Sequence, residues 1–399
     1  MFDFKITAKE KNAKIGILKL NHGIVKTPAF LPVGTKATVK TISPEELKEI
    51  GVQIIVNNTY HLHFSPGEDL IEKAGGVNKF MAWDRPIFTD SGGFQAYSLG
   101  LGTKLGASKF LYKTEEKNKT TQPNKKKSAD IDKDGVIFRS IYDGKKEILT
   151  PEKSIAIQQK LGSDIILSLD ECTPPNADYT YTKESMKLTH RWAKRSIDAK
   201  TSDQALYGII QGGLFQDLRE ESTRFICSNL KKNNEKGFDG IAIGGAFGRD
   251  EMYETLDWIM PKIPNKIPVH LLGIGTVEDI FESVKRGVDT FDCVGPTRIA
   301  RVGYAYVKPP EGNRKNKYRI RLIRSKYKDD FSPIDKNCTC KMCKTYTKAY
   351  INHLFRNKEM LAYRIVSYHN IHFFINLMRE IRSAIEKKQF EKLFDDWMK

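Results

Sequence analysis

The chain has 399 residues, 40% of them hydrophobic and 29% charged, with a formal net charge of +17. That apolar fraction supports a sizeable buried core and excludes wholesale disorder. No apolar run reaches the ~18–20 residues a membrane-spanning helix needs, and the start Met1-Phe2-Asp3-Phe4-Lys5 lacks the pattern of a signal peptide, so a cytoplasmic protein is expected.

In chain order, the alternating segment Phe2–Lys26 predicts a hairpin ahead of the first barrel strand. Strands are then predicted near Lys26–Val33, Ile54–Val56, Pro86–Asp90, Ile165–Asp170, Ala205–Gln211, Gly240–Gly245, Val269–Gly273 and Thr290–Val294. Helical patterns fill the gaps. Ser43-Pro44-Glu45-Glu46 offers an N-cap, a proline at the first helical position and a capping-box glutamate. Thr150-Pro151 opens another helix that Gly162 closes, and Asp250 and Thr276 precede two more. Eight alternating units predict an α/β fold, a parallel (β/α)8 TIM barrel. The long gap after the third strand holds a Lys-rich insertion near 104–134, and its Lys113–Lys127 stretch has almost nothing to bury and reads as a flexible surface excursion.

Residues 1–300 are assigned to the barrel and 301–399 to a basic zinc-binding subdomain with closing C-terminal helices. The latter holds 23 Lys/Arg against 10 Asp/Glu, and Arg314 to Lys328 carries eight basic residues and no acid. Such a run is either a solvated face or a surface for a polyanion. Cys338-x-Cys340-x2-Cys343 places three soft ligands on one turn, which suits a thiolate metal site in a reducing compartment. Zinc accepts three thiolates and one imidazole in closed, structural sites. His353, His369 and His372 are candidate fourth ligands, and spacing does not choose among them.

Barrel enzymes place their chemistry at the C-terminal ends of strands. Those ends carry Asp90, Asp170, Gln211, Gly244-Gly245 and Asp292. Each acid alone could be a cap or a loop ion pair, but buried unpaired carboxylates are costly and three at strand ends point to a site. In Asp90-Ser91-Gly92-Gly93-Phe94-Gln95 the glycines admit a ligand to the backbone and Phe94 offers a stacking face. Asp292, with Arg298 and Arg301 downstream, suits a nucleophile, and the arginines also suit phosphate.

These motifs, with Gln211-Gly212-Gly213, Phe291-Asp292-Cys293-Val294-Gly295-Pro296-Thr297-Arg298 and the Cys-x-Cys-x2-Cys…His tail, resemble the bacterial-type tRNA-guanine transglycosylases (queuine tRNA-ribosyltransferases), in order from about Lys5 to the C-terminus. The resemblance implies a barrel with an inserted zinc subdomain, His369 as fourth ligand of one structural zinc, and a homodimer. It implies exchange of the wobble guanine of tRNAs with a U-G-U anticodon-loop sequence for a 7-deazaguanine, in queuosine modification. Asp292 matches the nucleophile and Asp90 the general acid/base. Asp90, Ser91, Phe94, Asp170, Gln211, Gly245 and Leu272 match the base-binding set. Thr297, Arg298 and Arg301 match residues that hold the flanking uridines.

Three departures stand against the pattern. Phe94 and Leu272 replace the Tyr and Met common in the family, keeping the apolar contact. Gly244-Gly245-Ala246-Phe247-Gly248-Arg249-Asp250 is shorter than usual and has Arg249 in place of a glutamate, which leaves 7-aminomethyl-7-deazaguanine (preQ1) and queuine both open as the incoming base. The Lys113–Lys127 insertion is the third. Tyr346, Tyr350 and His353 have helical spacing, which fits core packing or an aromatic dimer seam. The rival readings are a non-catalytic, zinc-stabilised tRNA-binding protein and a metal-dependent barrel hydrolase, which would need strand-end histidines.

Overall fold

A computed structural model describes residues 2–94, 129–139, 144, 146–232, 235–245 and 248–399. The stretch Lys113–Lys127, with Gln95, Ala246 and Phe247, lies outside the described residues.

The chain opens with β1 (Asp3–Glu10), β2 (Ala13–Leu20) and β3 (Gly23–Thr27), a three-stranded antiparallel meander rather than a single hairpin. The strand expected over Lys26–Val33 is two elements. Lys26 ends the meander in β3, and β4 begins beyond Pro28, which has no N–H to give to a ladder. The remaining strands are β4 (Ala29–Pro32), β5 (Ile55–Asn57), β6 (Ile87–Thr89), β7 (Ala129–Asp132), β8 (Gly135–Arg139), β9 (Lys146–Leu149), β10 (Ile165–Leu167), β11 (Ala205–Ile210), β12 (Gly240–Ile243), β13 (Val269–Leu271), β14 (Thr290–Cys293), β15 (Tyr304–Tyr306) and β16 (Arg319–Arg321).

Eight of them form one sheet in the order β4-β14-β13-β12-β11-β10-β6-β5. Its outer strands meet through a parallel Val33–Val56 bridge. Around that circuit each strand neighbours the next barrel strand in the chain, which is the winding of a (β/α)8 barrel. Continuous apolar sequence explains it: β10, β11, β12 and β13 are buried at every position, as strands covered on both faces must be.

The helices start where their caps predict. The Ser43 hydroxyl accepts from the Glu46 N–H while the Glu46 carboxylate accepts from the Ser43 N–H. Thr150 caps Pro151–Leu161, Gly162 ends it at φ 73°, and Thr276 caps Val277–Lys285. Asp250 differs: it lies inside the first turn of Arg249–Ile259, whose cap is Gly248. Of the expected insertion near 104–134, only residues 129–134 are described; Ala129–Asp132 is strand β7 of an antiparallel β7–β8–β9 sheet that is separate from the eight-stranded one.

The chain divides into two compact units. One comprises Asn58–Phe80 and Phe88–Leu272 with the first two residues, and the other Asp3–Asn57, Met81–Ile87 and Gly273–Lys399. In the second, β14 pairs with β4 from Thr290–Ala29 to Cys293–Pro32. Lys14 on β2 forms a 3.1 Å ion pair with Asp289 at the N-terminal end of β14, both side chains being buried. The meander is thus tied to the N-terminal end of β14, away from Asp292. Among the described residues no helix is long and apolar enough to cross a membrane.

Candidate functional site

The first unit carries Asp90, Ser91, Phe94, Asp170, Gln211, Gly245 and Leu272, all at or just beyond strand ends. Asp90 follows β6 and is held from the loop after β5. Asn58 Nδ2 donates to Asp90 Oδ2 at 2.5 Å, and the N–H groups of Thr59 and Gly92 donate to Oδ1 at 3.0 and 3.2 Å. The Thr59 hydroxyl donates to the Asp90 carbonyl. Asn58 is also the N-cap of the helix Thr59–Phe64, its Oδ1 accepting from the His61 N–H at 2.9 Å. Sequence reasoning passed over Asn58 and Thr59, although an Asn-Asn-Thr run straight after a strand is a cap signal.

Ser91, Asp170 and Gln211 come together as one buried group. The Ser91 hydroxyl donates to Asp170 Oδ1 at 3.2 Å, and Gln211 Nε2 donates to Asp170 Oδ2 at 2.7 Å. Gln211 Oε1 is buried with no partner among the described residues. Glycines pack closely against this group. A Cβ on Gly93 would stand 2.4 Å from the Asp170 carbonyl oxygen, and one on Gly244 2.5 Å from Gln211 Nε2. Gly245 has φ 135°, which side-chain-bearing residues rarely adopt.

Two further residues shape the group, and neither was legible beforehand. Arg219 is fully buried and donates to the carbonyls of Ile210, Gly213 and Gly244, tying the Gln211 loop to the Gly244 loop. Burial pulls its guanidinium down to about 9. In Asp217-Leu218-Arg219-Glu220-Glu221 it reads as one more charge on a solvated helix. Glu171 is buried, which raises its carboxyl above the ordinary range, and it accepts from the Tyr181 hydroxyl at 2.6 Å. Phe94 and Leu272 are half-buried at the ends of their loops.

The second unit carries Asp292, Thr297, Arg298 and Arg301. Asp292, on β14, is half-buried, and its Oδ1 accepts from the Gly273 N–H at 2.6 Å. Next to it burial pushes the Cys293 thiol up to about 11, so this sulfur stays a thiol at neutral pH. Thr297 is buried in the short helix Gly295–Ala300, Arg298 is exposed, and Arg301 donates to the Thr297 carbonyl at 2.8 Å. Desolvation and the neighbouring charge of Arg298 both lower the Arg301 guanidinium from its ordinary value.

The same unit holds the metal-ligand cluster. The donor atoms of Cys338, Cys340, Cys343 and His369 all lie within 4.8 Å of one another. His369 Nδ1 stands 3.6, 3.6 and 3.2 Å from the three sulfurs in that order. Its Nε2 is 2.6 Å from the Tyr306 carbonyl, so Nε2–H donates there and the Nδ1 lone pair is left for an ion. Hydrogen bonds from Cys338 and Cys343 hold the Cys340 thiol well below its usual range. These four residues fit a metal ion with a closed coordination sphere. Of the other two candidates, His353 is exposed on the helix Lys348–Arg356, while His372 reaches Cys338 alone at 3.6 Å.

The aromatic stripe is placed differently from expectation. Tyr346 is extended and precedes the helix Lys348–Arg356, so it is not one face of that helix with Tyr350 and His353. It reaches Tyr350 by stacking, at 5.7 Å between ring centroids.

Against known proteins, the family model TGT, queuine tRNA-ribosyltransferase, matches residues 9–399. The chain is similar to a putative queuine tRNA-ribosyltransferase of Archaeoglobus fulgidus, 42% identical over 404 residues covering 99% of this chain and 98% of that one. It is 46% identical to a queuine tRNA-ribosyltransferase of Caldanaerobacter subterraneus, over 97% of this chain and 94% of the relative. With the enzyme of that name from Herpetosiphon aurantiacus it shares 43%, over 100% and 92%.

Proposed function

The chain belongs to the queuine tRNA-ribosyltransferase family, and from that premise we propose that it exchanges the wobble guanine of U-G-U tRNAs for a 7-deazaguanine. The observation that carries this reading is the buried Asp170–Gln211 pair beside Gly93, where a Cβ would meet the Asp170 backbone. Guanine and its 7-deaza analogues present a ring N–H and an exocyclic amine next to a carbonyl oxygen. The Asp170 carboxylate accepts from the first two. The second Nε2 hydrogen of Gln211 and the Gly245 N–H meet the carbonyl. Phe94 and Leu272 sandwich the flipped base, Ser91 orients Asp170, and Thr297, Arg298 and Arg301 hold the flanking uridines.

The reaction is a double displacement at the ribose anomeric carbon, through an oxocarbenium-like transition state as in retaining glycosidases. The Asp292 carboxylate attacks C1′ while protonated Asp90 gives its proton to departing guanine, leaving an Asp292–ribose ester. The incoming base then loses a ring N–H proton to the Asp90 carboxylate and attacks C1′, and the bond to Asp292 breaks. The Gly273 N–H steadies the nucleophile and the Asn58 and Thr59 donors steady the acid/base. A zinc ion held by Cys338, Cys340, Cys343 and His369 supplies structure only, since four protein ligands leave no position for water.

The test is release of labelled guanine from tRNA chased with guanine, 7-aminomethyl-7-deazaguanine or queuine, with denaturing gels for the adduct. Wild type is expected to incorporate at least one 7-deazaguanine, and Asp292→Ala to lose both exchange and adduct while folding normally. An adduct that persists in Asp292→Ala removes that residue as nucleophile. Binding of tRNA without any exchange by wild type would leave the non-catalytic reading.

A further inference from the structure

The hairpin β15–β16 follows directly on the helix that carries Arg298, with three residues from Arg301 to Tyr304, at most about 10 Å of chain. Its register sets Tyr304 opposite Arg321 and Tyr306 opposite Arg319. The guanidinium carbons of Arg319 and Arg321 lie 6.0 and 5.5 Å from the Tyr304 ring centroid, and Arg319 is also 5.9 Å from Tyr306. A guanidinium laid on a ring keeps its charge and its N–H fork but has less rotamer freedom left to lose on binding.

Asn370 locks this hairpin to the helix before it. Its Nδ2 donates to the carbonyls of Pro296 and Tyr304, both at 3.0 Å, and its Oδ1 accepts from the Tyr306 N–H at 2.9 Å. Charge on the hairpin is left open. Arg314 and Lys328 pair with Glu278 and Asp329. Among the described residues Arg298, Arg301, Arg319, Arg321, Arg324 and Lys326 have no carboxylate within ion-pair distance. A merely solubilising face does not need aromatic backing, a fixed frame and unpaired cations together. Val302 and Ile323, 59% and 36% exposed, add apolar ground among the arginines that a sugar can cover.

We propose that β15–β16 is a second RNA contact, in which Arg319, Arg321 and Arg324 grip phosphates of the tRNA stem adjoining the anticodon loop. This rests on the tRNA reading above and extends it from the flanking uridines to the backbone beyond them. The Tyr304 ring orients two of the guanidinium forks, and Asn370 keeps them in step with Arg298 and Arg301.

The test compares wild type, Arg321→Gln/Arg324→Gln and Arg321→Lys/Arg324→Lys on an unmodified U-G-U tRNA transcript. Binding is measured from 50 to 200 mM salt, and KM and kcat for guanine exchange are measured separately. Each lost phosphate contact removes about 0.9 from the slope of log affinity against log salt. The glutamine variant should therefore lose about 10-fold less affinity than wild type across that interval, with KM rising more than kcat falls. The lysine variant should restore most of the slope, since charge sets it. An unchanged slope and KM in the glutamine variant, in an enzyme that exchanges guanine, overturns the hairpin contact alone. If wild type binds tRNA without exchange and the slope still flattens, the hairpin contact stands and the catalytic reading falls. Failure of wild type to bind tRNA overturns both.

Discussion

Asn58 does two things with one amide: its oxygen caps the helix Thr59–Phe64 and its nitrogen holds Asp90. Asn58→Ala should therefore cost about 1 kcal/mol of stability through the lost cap. If Asp90 is the acid/base proposed above, the substitution should also lower kcat/KM for exchange by about 10- to 100-fold by loosening that carboxylate. Asn58→Asp separates the two roles. The cap survives, but a second carboxylate faces Asp90, and like charges push one proton-binding step upward. The acid limb of the pH–rate profile should move up by about one unit in this variant. Wild-type rates and profile in both variants would show that Asp90 needs no holding. At this scale legibility depended on where a residue's partner lies in the chain. The acids at strand ends and the cysteine cluster stood out by local pattern. Asn58 and Arg219 did not, because Asp90 and Gly244 reach them only through the fold.

The helix Thr59–Phe64 is also tied at its other end. His63 Nδ1 contacts Glu68 at 2.6 Å and Nε2 contacts Glu147 on β9 at 3.0 Å, with Lys153 paired to the same Glu147. Burial alone would lower the His63 imidazole, but the hydrogen bonds to Glu68 and Glu147 outweigh it and the net shift is upward. Glu68 and Glu147 are held below the usual carboxylate range, burial again being outweighed by His63 and, for Glu147, by Lys153. A raised histidine stabilises fully below its unfolded value, about 6.5, and loses that contribution as pH rises through the folded one. The carboxylates act the other way and lose theirs as pH falls below about 4.5. The tie is thus strongest between those limits. Wild type should lose about 2 °C of melting temperature relative to His63→Ala between pH 6 and pH 9. Parallel curves for the two proteins would sink the ionic tie. The sheet that it fastens was hidden in the sequence. β7 and β9 are four residues each and half charged, and the short apolar run of β8 stands between them without a cap to mark it, so none of the three reads as a strand. The barrel strands, by contrast, are apolar runs bounded by caps, and only Pro28 split one unexpectedly.

For the whole molecule, the Cys338–His369 cluster joins a turn to the middle of the long helix Met360–Glu386. Binding free energy at such a site is folding free energy. Protein purified without chelator should carry one zinc per chain by elemental analysis, and a strong chelator should lower the melting temperature. The stacked Tyr346 and Tyr350 follow directly on that turn, and Tyr350 is 42% exposed. If the homodimer that the family resemblance implies is built on these rings, light scattering at micromolar concentration should read a dimer that the chelator splits. A monomer before chelation rules the seam out. The eightfold winding itself was legible because each turn of the barrel repeats the same local grammar. A barrel read from local pattern implies that its first and last strands meet, but not which side chains fasten the join. β4 pairs with β14, and Thr27 and Asp289, 262 residues apart, share a hydrogen bond beside the buried Lys14. A ribosome adding about 5–20 residues per second spends about 15–50 s between the two. Throughout that interval the opening meander is born with a lysine whose counter-charge does not yet exist. The barrel is therefore a ring whose clasp is made last, and a nascent chain stopped before Asp289 has every blade of the sheet but the one that lets the first be buried.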